Sequence, residues 1–260
     1  MKKIIKNLFL AIAVFLLLLI LFTRFCYQYI LYPSPKNDGP IQTESSQILN
    51  FKNEYGQNVE VFYSPVQNPK KTIVYFHGNN ETLNGIQYLA EKYNEYGFSI
   101  FMMEYPGYGD SGGAPSEENI YASANSVLDY LIDNGTTNDQ VVIVGYSLGT
   151  GVATEMAYRG FGSSLVLIAP YTSITNIASR FVPFLPMGLL IPEHFDTALK
   201  AKTIAIPTLI VHGTADLTIP YAMGEGLSGI FENATLVTQK GKGHHDYFDD
   251  ETVKLIADFL

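Results

Sequence analysis

The N-terminal part of the chain is dominated by one apolar segment. Three lysines precede residues 8–22, in which no side chain carries a polar atom, and Arg24 follows. A membrane-spanning helix needs roughly 20 mostly apolar residues. The segment reaches that length if the flanking isoleucines before it are included, or if the Arg24 side chain extends to the far interface. We therefore predict one transmembrane helix that acts as a membrane anchor over residues 1–30.

The alternative interpretation of this segment is a cleaved signal peptide, whose apolar stretch is typically about 7–15 residues long. Residues 23–27 lack the small side chains of a cleavage site, which favours an uncleaved anchor. Three lysines before the segment against one arginine after it predict a cytoplasmic N-terminus. The remaining residues, 31–260, would then form a domain in the periplasm or another extracytoplasmic space.

After the anchor, the pattern of apolar positions alternates between strands and helices. Two segments around a turn at residues 54–57 predict an antiparallel hairpin. Later apolar runs are short and nearly continuous, which is typical of strands buried on both faces of a parallel sheet. The predicted strands are 47–52, 58–63, 72–76, 98–103, 141–144, 165–168, 208–211 and 235–238, and the predicted helices are 83–95, 116–133, 148–159, 221–231 and 251–259. This order predicts an α/β fold, a mostly parallel central sheet flanked by helices.

One stretch does not follow this alternation. Residues 171–197 are rich in apolar side chains but are interrupted by Pro183, Pro186 and Pro192. Proline excludes one long helix, and the stretch is very apolar for a surface loop. It is either a short helix in the ordinary core or a small cap, which would line an acyl-chain pocket or dip toward a lipid surface.

Composition and net charge exclude some classes of protein for this chain. The chain has 260 residues, of which 47% are hydrophobic, enough for one large core. A net charge of −9 argues against nucleic-acid binding, which normally requires a clustered basic face. Cys26 is the single cysteine, so a disulfide within the chain is excluded.

The candidate chemistry begins at the predicted strand 141–144. Gly145-Tyr-Ser147-Leu-Gly149 fits the pattern G-x-S-x-G directly after this strand and before a predicted helix. A serine in that context sits on a strained turn that raises its hydroxyl above the sheet, and the flanking glycines allow close backbone passage. Ser147 is therefore the candidate nucleophile.

A second motif, His77-Gly78-Asn79, ends the predicted strand 72–76. We interpret it as an oxyanion loop, in which the backbone N–H groups of Asn79 and Leu148 stabilise developing negative charge. The alternative is a simple strand-ending turn with a hydrogen-bonded histidine.

Two further motifs supply an acid and a base. Asp216 follows the predicted strand 208–211 and could orient a histidine, although it could also cap a helix. His244 and His245 follow the last predicted strand in a glycine-containing loop, and their position alone does not separate them. The order serine, aspartate, histidine along the chain is the order of α/β-hydrolases.

No H-E-x-x-H or phosphate-binding glycine motif occurs, so we expect neither a metal nor an organic cofactor.

These motifs resemble those of membrane-anchored α/β-hydrolase-domain serine hydrolases, in the serine aminopeptidase and dienelactone hydrolase-like branch, which includes depalmitoylases. The resemblance runs from about Tyr29 to the C-terminus, and it includes the G-x-S-x-G segment and Gly241-Lys-Gly-His244. It implies an α/β-hydrolase fold and assigns the base to His244. Glu104 stands where the group usually has aspartate.

The sequence thus predicts a serine esterase or thioesterase with a triad of Ser147, Asp216 and His244 and an acyl-enzyme intermediate. For a domain outside the cytoplasm, a lipid or small acyl ester is a better-placed substrate than a cytoplasmic palmitoylated protein. The alternatives are an amidase or peptidase on the same residues, or a catalytically silent scaffold that binds at a membrane.

Overall fold

The computed structural model describes residues 2–37, 39, 41 and 46–260. Within these residues, the strands form one sheet, with the order β1-β2-β4-β3-β5-β6-β7-β8. The strands are β1 (Gln47–Lys52), β2 (Asn58–Ser64), β3 (Lys71–Phe76), β4 (Phe98–Met103), β5 (Val141–Tyr146), β6 (Ser164–Ile168), β7 (Thr208–Gly213) and β8 (Ala234–Gln239).

The sheet contains both antiparallel and parallel strand pairs, as the sequence predicts. The hairpin β1–β2 is antiparallel, and β2 also pairs antiparallel with β4. From β4 onward every pair of neighbours is parallel. The carboxyl ends of these parallel strands therefore meet at one edge of the sheet, where ligand sites of open α/β sheets usually lie.

Helices cover both faces of this sheet and connect its parallel strands. These are helices that follow the N-terminal helix α1 (Lys2–Leu31), namely α2 (Leu83–Ile86), α3 (Tyr88–Glu95), α4 (Glu117–Asp133), α5 (Leu148–Tyr158), α6 (Ile174–Phe181), α7 (Met187–Leu190), α8 (Thr197–Ala201), α9 (Tyr221–Ser228) and α10 (Asp250–Phe259). One apolar core lies between the sheet and α4 and α5, and a second lies between the sheet and α3 and α10. The predicted α/β class, with a mostly parallel sheet flanked by helices, is confirmed.

The predicted helix over residues 83–95 is wrong in one respect, since it is two helices interrupted at Gln87. Thr82 caps the first helix by accepting a hydrogen bond from the Gly85 N–H. Gly85 lies close to the interruption, and glycine weakens a helix because it loses the most backbone entropy. The start of α4 follows the sequence more closely, because Ser116 caps it and Glu117 and Glu118 occupy its first turn.

The N-terminal helix α1 differs from all the other helices described here. It has 30 residues, and none of its described side chains is buried. It is long and apolar enough to cross a membrane, and a signal sequence would have the same properties. Only its last turns reach the folded domain, where Tyr27 and Leu31 pack against the core and α1 contacts α7.

Candidate active site

Ser147 occupies a strained turn between β5 and α5. Its backbone φ is 50° and its ψ is −118°, a conformation that an L-residue with a side chain rarely adopts. The turn is held on one side by the Ser147 N–H, which donates to the Ile168 carbonyl at 2.9 Å. This conformation raises the side chain above the carboxyl edge of the sheet, as expected for a nucleophile at such a turn.

The two glycines of the motif are required by close backbone contacts. A Cβ atom on Gly145 would lie 2.3 Å from the Gly149 carbonyl oxygen, and one on Gly149 would lie 2.0 Å from the Phe76 carbonyl oxygen. Both distances are far below van der Waals contact. The helix α5 can therefore approach β3 and β5 closely only because these positions have no side chain.

His244 lies directly beside Ser147. Its Nε2 atom is 2.9 Å from the Ser147 Oγ, and its Nδ1 atom is 2.7 Å from the Asp216 Oδ2. Ser147 and His244 are each about 8% exposed, so the pair is largely sheltered from solvent but not completely buried. The neighbouring His245 is exposed, and its Nδ1 lies 3.2 Å from the Tyr146 hydroxyl instead. Of the two histidines, the structure places only His244 between the serine and the aspartate.

Asp216 uses its two carboxylate oxygens differently. Oδ1 accepts hydrogen bonds from the Thr218 and Ile219 N–H groups at 2.9 and 2.8 Å, which fixes the carboxylate in a turn. Oδ2 faces His244, and the His212 Nε2 lies 3.6 Å away from it. Burial raises the pKa of Asp216, but the contacts with His212, His244 and the Ile219 N–H lower it by more, so that it lies well below its usual range. The carboxylate therefore stays ionised beside the imidazole.

His77 and Glu104 form a second histidine–carboxylate pair. The register Phe76↔Met103 between β3 and β4 brings the two following residues side by side. The His77 Nε2 lies 2.9 Å from the Glu104 Oε1, and neither side chain is exposed to solvent. Burial lowers the pKa of His77, but Glu104, Glu81 and the Gly78 carbonyl together raise it by more, so the net shift is upward.

This second pair holds the loop that follows β3. The His77 Nδ1 lies 2.7 Å from the Gly78 carbonyl oxygen, so both ring nitrogens face oxygen atoms, an arrangement that suits a doubly protonated ring. The Tyr105 hydroxyl donates to the His77 carbonyl at 2.6 Å, and the Tyr108 hydroxyl donates to the Asn79 carbonyl at 3.0 Å. The loop from His77 to Asn79 is thus fixed on several sides.

The predicted oxyanion donors, Asn79 and Leu148, lie just beyond the carboxyl ends of two neighbouring strands, β3 and β5. Phe76 pairs with Gly145, and Asn79 and Leu148 each come three residues later. Gly78 allows this approach, because a Cβ there would lie 3.0 Å from the Tyr146 ring. Leu148 is the first residue of α5, where N–H groups have no partner within the helix and the helix dipole is positive.

Two residues that no sequence motif indicated, Tyr146 and Glu81, support this arrangement. The Tyr146 hydroxyl donates to the His244 carbonyl at 2.6 Å and so fixes the histidine loop. Glu81 accepts the Gly78 N–H at 2.7 Å, and burial raises the pKa of its carboxyl group despite the opposing effect of His77. Tyr146 occupies a variable position of the G-x-S-x-G pattern, and its partner lies 98 residues away. No local sequence signal could have indicated that contact.

The stretch from 171 to 197 begins beside Ser147. The Tyr171 hydroxyl donates to the Leu148 carbonyl at 3.1 Å, and α6 and α7 follow it. The stretch returns to the core at Phe195, which is fully buried. Its middle combines both expectations: Met187, Leu190 and Ile191 are buried in the core, whereas Phe181 and Phe184 are largely open to solvent.

In the part of the chain that the structure describes, no group of three histidine, cysteine, aspartate or glutamate side chains could hold a metal ion. The groups that lie in line at this edge of the sheet are the Ser147 hydroxyl, the His244 imidazole and the Asp216 carboxylate.

Known protein families match most of the domain. A sequence model of serine aminopeptidases (S33) matches residues 67–195, and one of TAP-like proteins matches residues 191–260. The chain belongs to the α/β-hydrolase family. This α/β-hydrolase is 27% identical to the uncharacterized protein YfhR of Salmonella typhi over 246 residues, 87% of this chain and 82% of that protein.

A second relative has a named activity. The lysophosphatidylserine lipase ABHD12 of Xenopus tropicalis is 30% identical to this α/β-hydrolase over 221 residues, which cover 76% of the chain but only 57% of that lipase. A putative α/β hydrolase of Acanthamoeba polyphaga mimivirus is 27% identical over 229 residues, 85% of each chain.

Solved structures show the same fold. The esterase Pf2001 of Pyrococcus furiosus superposes with a TM-score of 0.73 at 15% identity, covering 87% of this chain and 97% of that one. Est1E of Butyrivibrio proteoclasticus superposes with a TM-score of 0.68 at 19% identity, covering 83% and 97%. At these identities the likeness concerns the fold, and the predicted α/β-hydrolase fold is confirmed.

Proposed function

We propose that the protein is a serine hydrolase that cleaves a carboxylic ester or thioester of a lipid or a small acyl compound. The observation that carries this proposal is the line of contacts from Ser147 through His244 to Asp216, at 2.9 and 2.7 Å. Such a line activates a hydroxyl that is otherwise a weak nucleophile. The lipase and esterase activities named for relatives and structural neighbours support an ester as the substrate.

In the proposed cycle, His244 takes the Ser147 proton while Oγ forms a bond to the carbonyl carbon. The carbonyl oxygen becomes an oxyanion that accepts hydrogen bonds from the Asn79 and Leu148 N–H groups. The bond to the leaving group then breaks, and the leaving group takes the proton from His244. A water molecule repeats these steps on the acyl-enzyme and releases the carboxylic acid and free Ser147.

Asp216 has an orienting role in this cycle. Its ionised carboxylate accepts a hydrogen bond from the Nδ1–H of His244 and stabilises the imidazolium that forms during each proton transfer. The low pKa of Asp216 keeps it ionised across the neutral range. No step of the proposed cycle requires a metal or an organic cofactor.

We also propose that α1 anchors the chain as a single-pass helix with its N-terminus in the cytoplasm. Residues 31–260 would form the hydrolase domain on the other side, with residues 171–197 as a small cap. The length and apolar surface of α1 support the anchor. Resistance of membrane-bound protein to carbonate extraction tests it, and a C-terminal reporter active only outside the cytoplasm tests the orientation.

The function is tested with the full-length protein purified in detergent. Water-soluble aryl esters of graded acyl length are compared with the matched thioesters and amides, for wild type and Ser147→Ala. We expect ester or thioester turnover that disappears in the variant. Faster turnover of the amides would favour a peptidase, the activity named by the matching family model. Folded wild-type protein that cleaves none of these compounds would contradict the proposal.

A further inference from the structure

The cap exposes an apolar surface beside the end of α1. Phe181, Phe184 and Leu189 are 74%, 96% and 77% exposed, and Val182 lies between them. We call these four residues the cap-tip surface. Arg180 is the single charged residue from 174 to 191, within a chain whose net charge is −9. A soluble surface rarely concentrates large apolar side chains in this way unless something covers them.

The end of α1 is fixed to the folded domain through Glu193, which lies within the cap after α7. The Tyr27 and Tyr32 hydroxyl groups donate to the two carboxylate oxygens of Glu193 at 3.2 and 3.1 Å. The Glu117 N–H, at the start of α4, donates to the same carboxylate at 2.5 Å. Since α7 also contacts α1, the cap and the last turns of the helix form one packed unit.

The length of α1 determines how deep this unit lies in a bilayer. From Lys6 to Leu31 the helix rises about 37 Å at 1.5 Å per residue. The hydrocarbon core is about 30 Å thick, and the bilayer with its headgroups is about 40–45 Å thick. With Lys6 at the hydrocarbon boundary of one leaflet, Leu31 lies about 7 Å past the opposite boundary, at the outer part of a headgroup layer that is about 5–7 Å thick, whichever way the helix is oriented. Tilt would bring Leu31 closer still.

The candidate active site lies beside the same end of α1. The Asn79 side chain donates to the Leu31 carbonyl oxygen at 3.4 Å, and Asn79 is the predicted oxyanion donor. On the other side, Tyr171 joins the base of the cap to Leu148, the residue after Ser147. The helix end and the cap thus both border the nucleophile.

We propose that the cap-tip surface is embedded in the headgroup and outer acyl region of the bilayer that α1 spans. The site then takes acyl esters directly from that membrane, in preference to esters dissolved in water. This inference rests on the proposed function for its substrate and on the α1 anchor for its geometry. Protein surfaces at a lipid interface typically combine large apolar and aromatic side chains with basic ones. The Arg180 side chain can form ion pairs with lipid phosphate groups.

The position of the cap-tip surface can be measured without any enzymatic activity, because the chain contains no tryptophan. Phe184→Trp therefore places a unique fluorophore on this surface. Tyr158→Trp is a matched control, since Tyr158 is 53% exposed at the far end of α5, away from Ser147. Both full-length variants are reconstituted into phosphatidylcholine vesicles with brominated acyl chains, which quench only tryptophan that reaches the lipid.

We expect strong quenching and a blue-shifted emission for Phe184→Trp, and neither effect for Tyr158→Trp. Emission of Phe184→Trp that is quenched by aqueous iodide and not by brominated lipid would overturn the proposal. Protection from both quenchers would also overturn it, since the surface would then be covered by protein, such as a second copy of the chain.

The substrate preference is tested with the double variant Phe184→Asp/Leu189→Asp. We expect turnover of a long-chain ester held in vesicles to fall about tenfold or more, because two apolar side chains no longer enter the lipid. Turnover of a short water-soluble ester should stay at the wild-type rate. Equal turnover of the vesicle ester in both proteins would overturn the membrane delivery of substrate. If wild type cleaves neither ester, the proposed function fails, while the fluorescence result still decides where the cap lies.

Discussion

Two histidine–carboxylate pairs lie at the carboxyl edge of the sheet, and they differ in what the histidine can reach. In the first, His244 contacts Asp216 through Nδ1 and leaves Nε2 facing the Ser147 hydroxyl at 2.9 Å. In the second, both ring nitrogens of His77 face oxygen atoms, and the pair with Glu104 is fully buried.

The comparison shows that the residue types alone do not determine the role. A proton carrier must be able to exchange its proton with a nearby reacting group, and only His244 has a hydroxyl at one nitrogen. His77 has no such neighbour, and Glu104, Glu81 and the Gly78 carbonyl raise its pKa against the effect of burial, which favours the protonated ring. We therefore propose a chemical role for the first pair and a positioning role for the second.

The largest expected effect concerns His244. Substituting His244→Gln removes the proton acceptor of Ser147, and kcat should fall by at least about a thousandfold. The matched control is His245→Gln, because His245 is the adjacent histidine and is exposed. Steady-state turnover of a soluble ester should change less than about tenfold for the control. A large loss for His245→Gln with normal activity of His244→Gln would reverse the assignment.

Asp216→Asn should lower kcat by up to about ten-thousandfold, because the amide cannot stabilise the imidazolium or fix its tautomer. The turn around residue 216 should survive, since an amide oxygen can still accept the Thr218 and Ile219 N–H groups. Turnover and circular dichroism of the variant measure these two effects separately. Activity near the wild-type value would remove Asp216 from the proposed mechanism.

Glu104→Gln affects the second pair and should act mainly on stability. Removing one partner of a buried ion pair typically costs about 3–5 kcal/mol, because the other charge is left without compensation. We expect a clear fall in the thermal unfolding midpoint of detergent-solubilised protein. Displacement of the loop at residues 77–79 should also lower kcat, by about tenfold to a hundredfold. If the midpoint does not move, His77 is not held as a charged group.

The two pairs should respond to pH in opposite directions. The pKa of His77 is raised above 6.5, so its stabilising contribution is complete below that value and is lost as pH rises through the folded pKa. The destabilisation by Glu104→Gln should therefore be greater at pH 6 than at pH 9. Unfolding midpoints of the variant and wild type across this range provide the measurement, and a difference that grows with pH would contradict the account.

The pKa of Asp216 is lowered from 3.8, so its contribution is complete above that value and is lost as pH falls below it. The stability difference between wild type and Asp216→Asn should be constant from pH 5 to 8 and should shrink in acid. This is the smallest expected effect, and a difference that is unchanged down to pH 3 would show that the Asp216 carboxylate is not stabilised by its neighbours.

Much of the fold could be predicted from the sequence, because its signals are local. Buried strands such as β5 are continuous apolar runs, and Ser116 followed by two glutamates indicates the start of α4. The interruption at Gln87 was missed, since one weak helix position does not outweigh a periodic pattern without knowledge of its packing.

The candidate site was predictable only in part. Motifs indicated Ser147, Asp216 and the loop of His244 and His245, and a resemblance was needed to choose between the two histidines. The contacts that distinguish them join residues far apart in the chain, such as Ser147 and His244, 97 positions apart. The same is true of Tyr32 and Glu193, which are separated by 161 positions. A contact of this kind depends on the packed fold, and no local pattern encodes it.

The central claim is that Ser147 is an activated nucleophile, and labelling with a fluorophosphonate tests it most directly. Membranes that contain the full-length protein are treated with the tagged reagent, and the modified peptide is identified by mass spectrometry, beside Ser147→Ala and His244→Gln. The account predicts a label on Ser147 that is absent from Ser147→Ala and strongly reduced in His244→Gln. A label on another serine, or none on correctly folded wild-type protein, would contradict it.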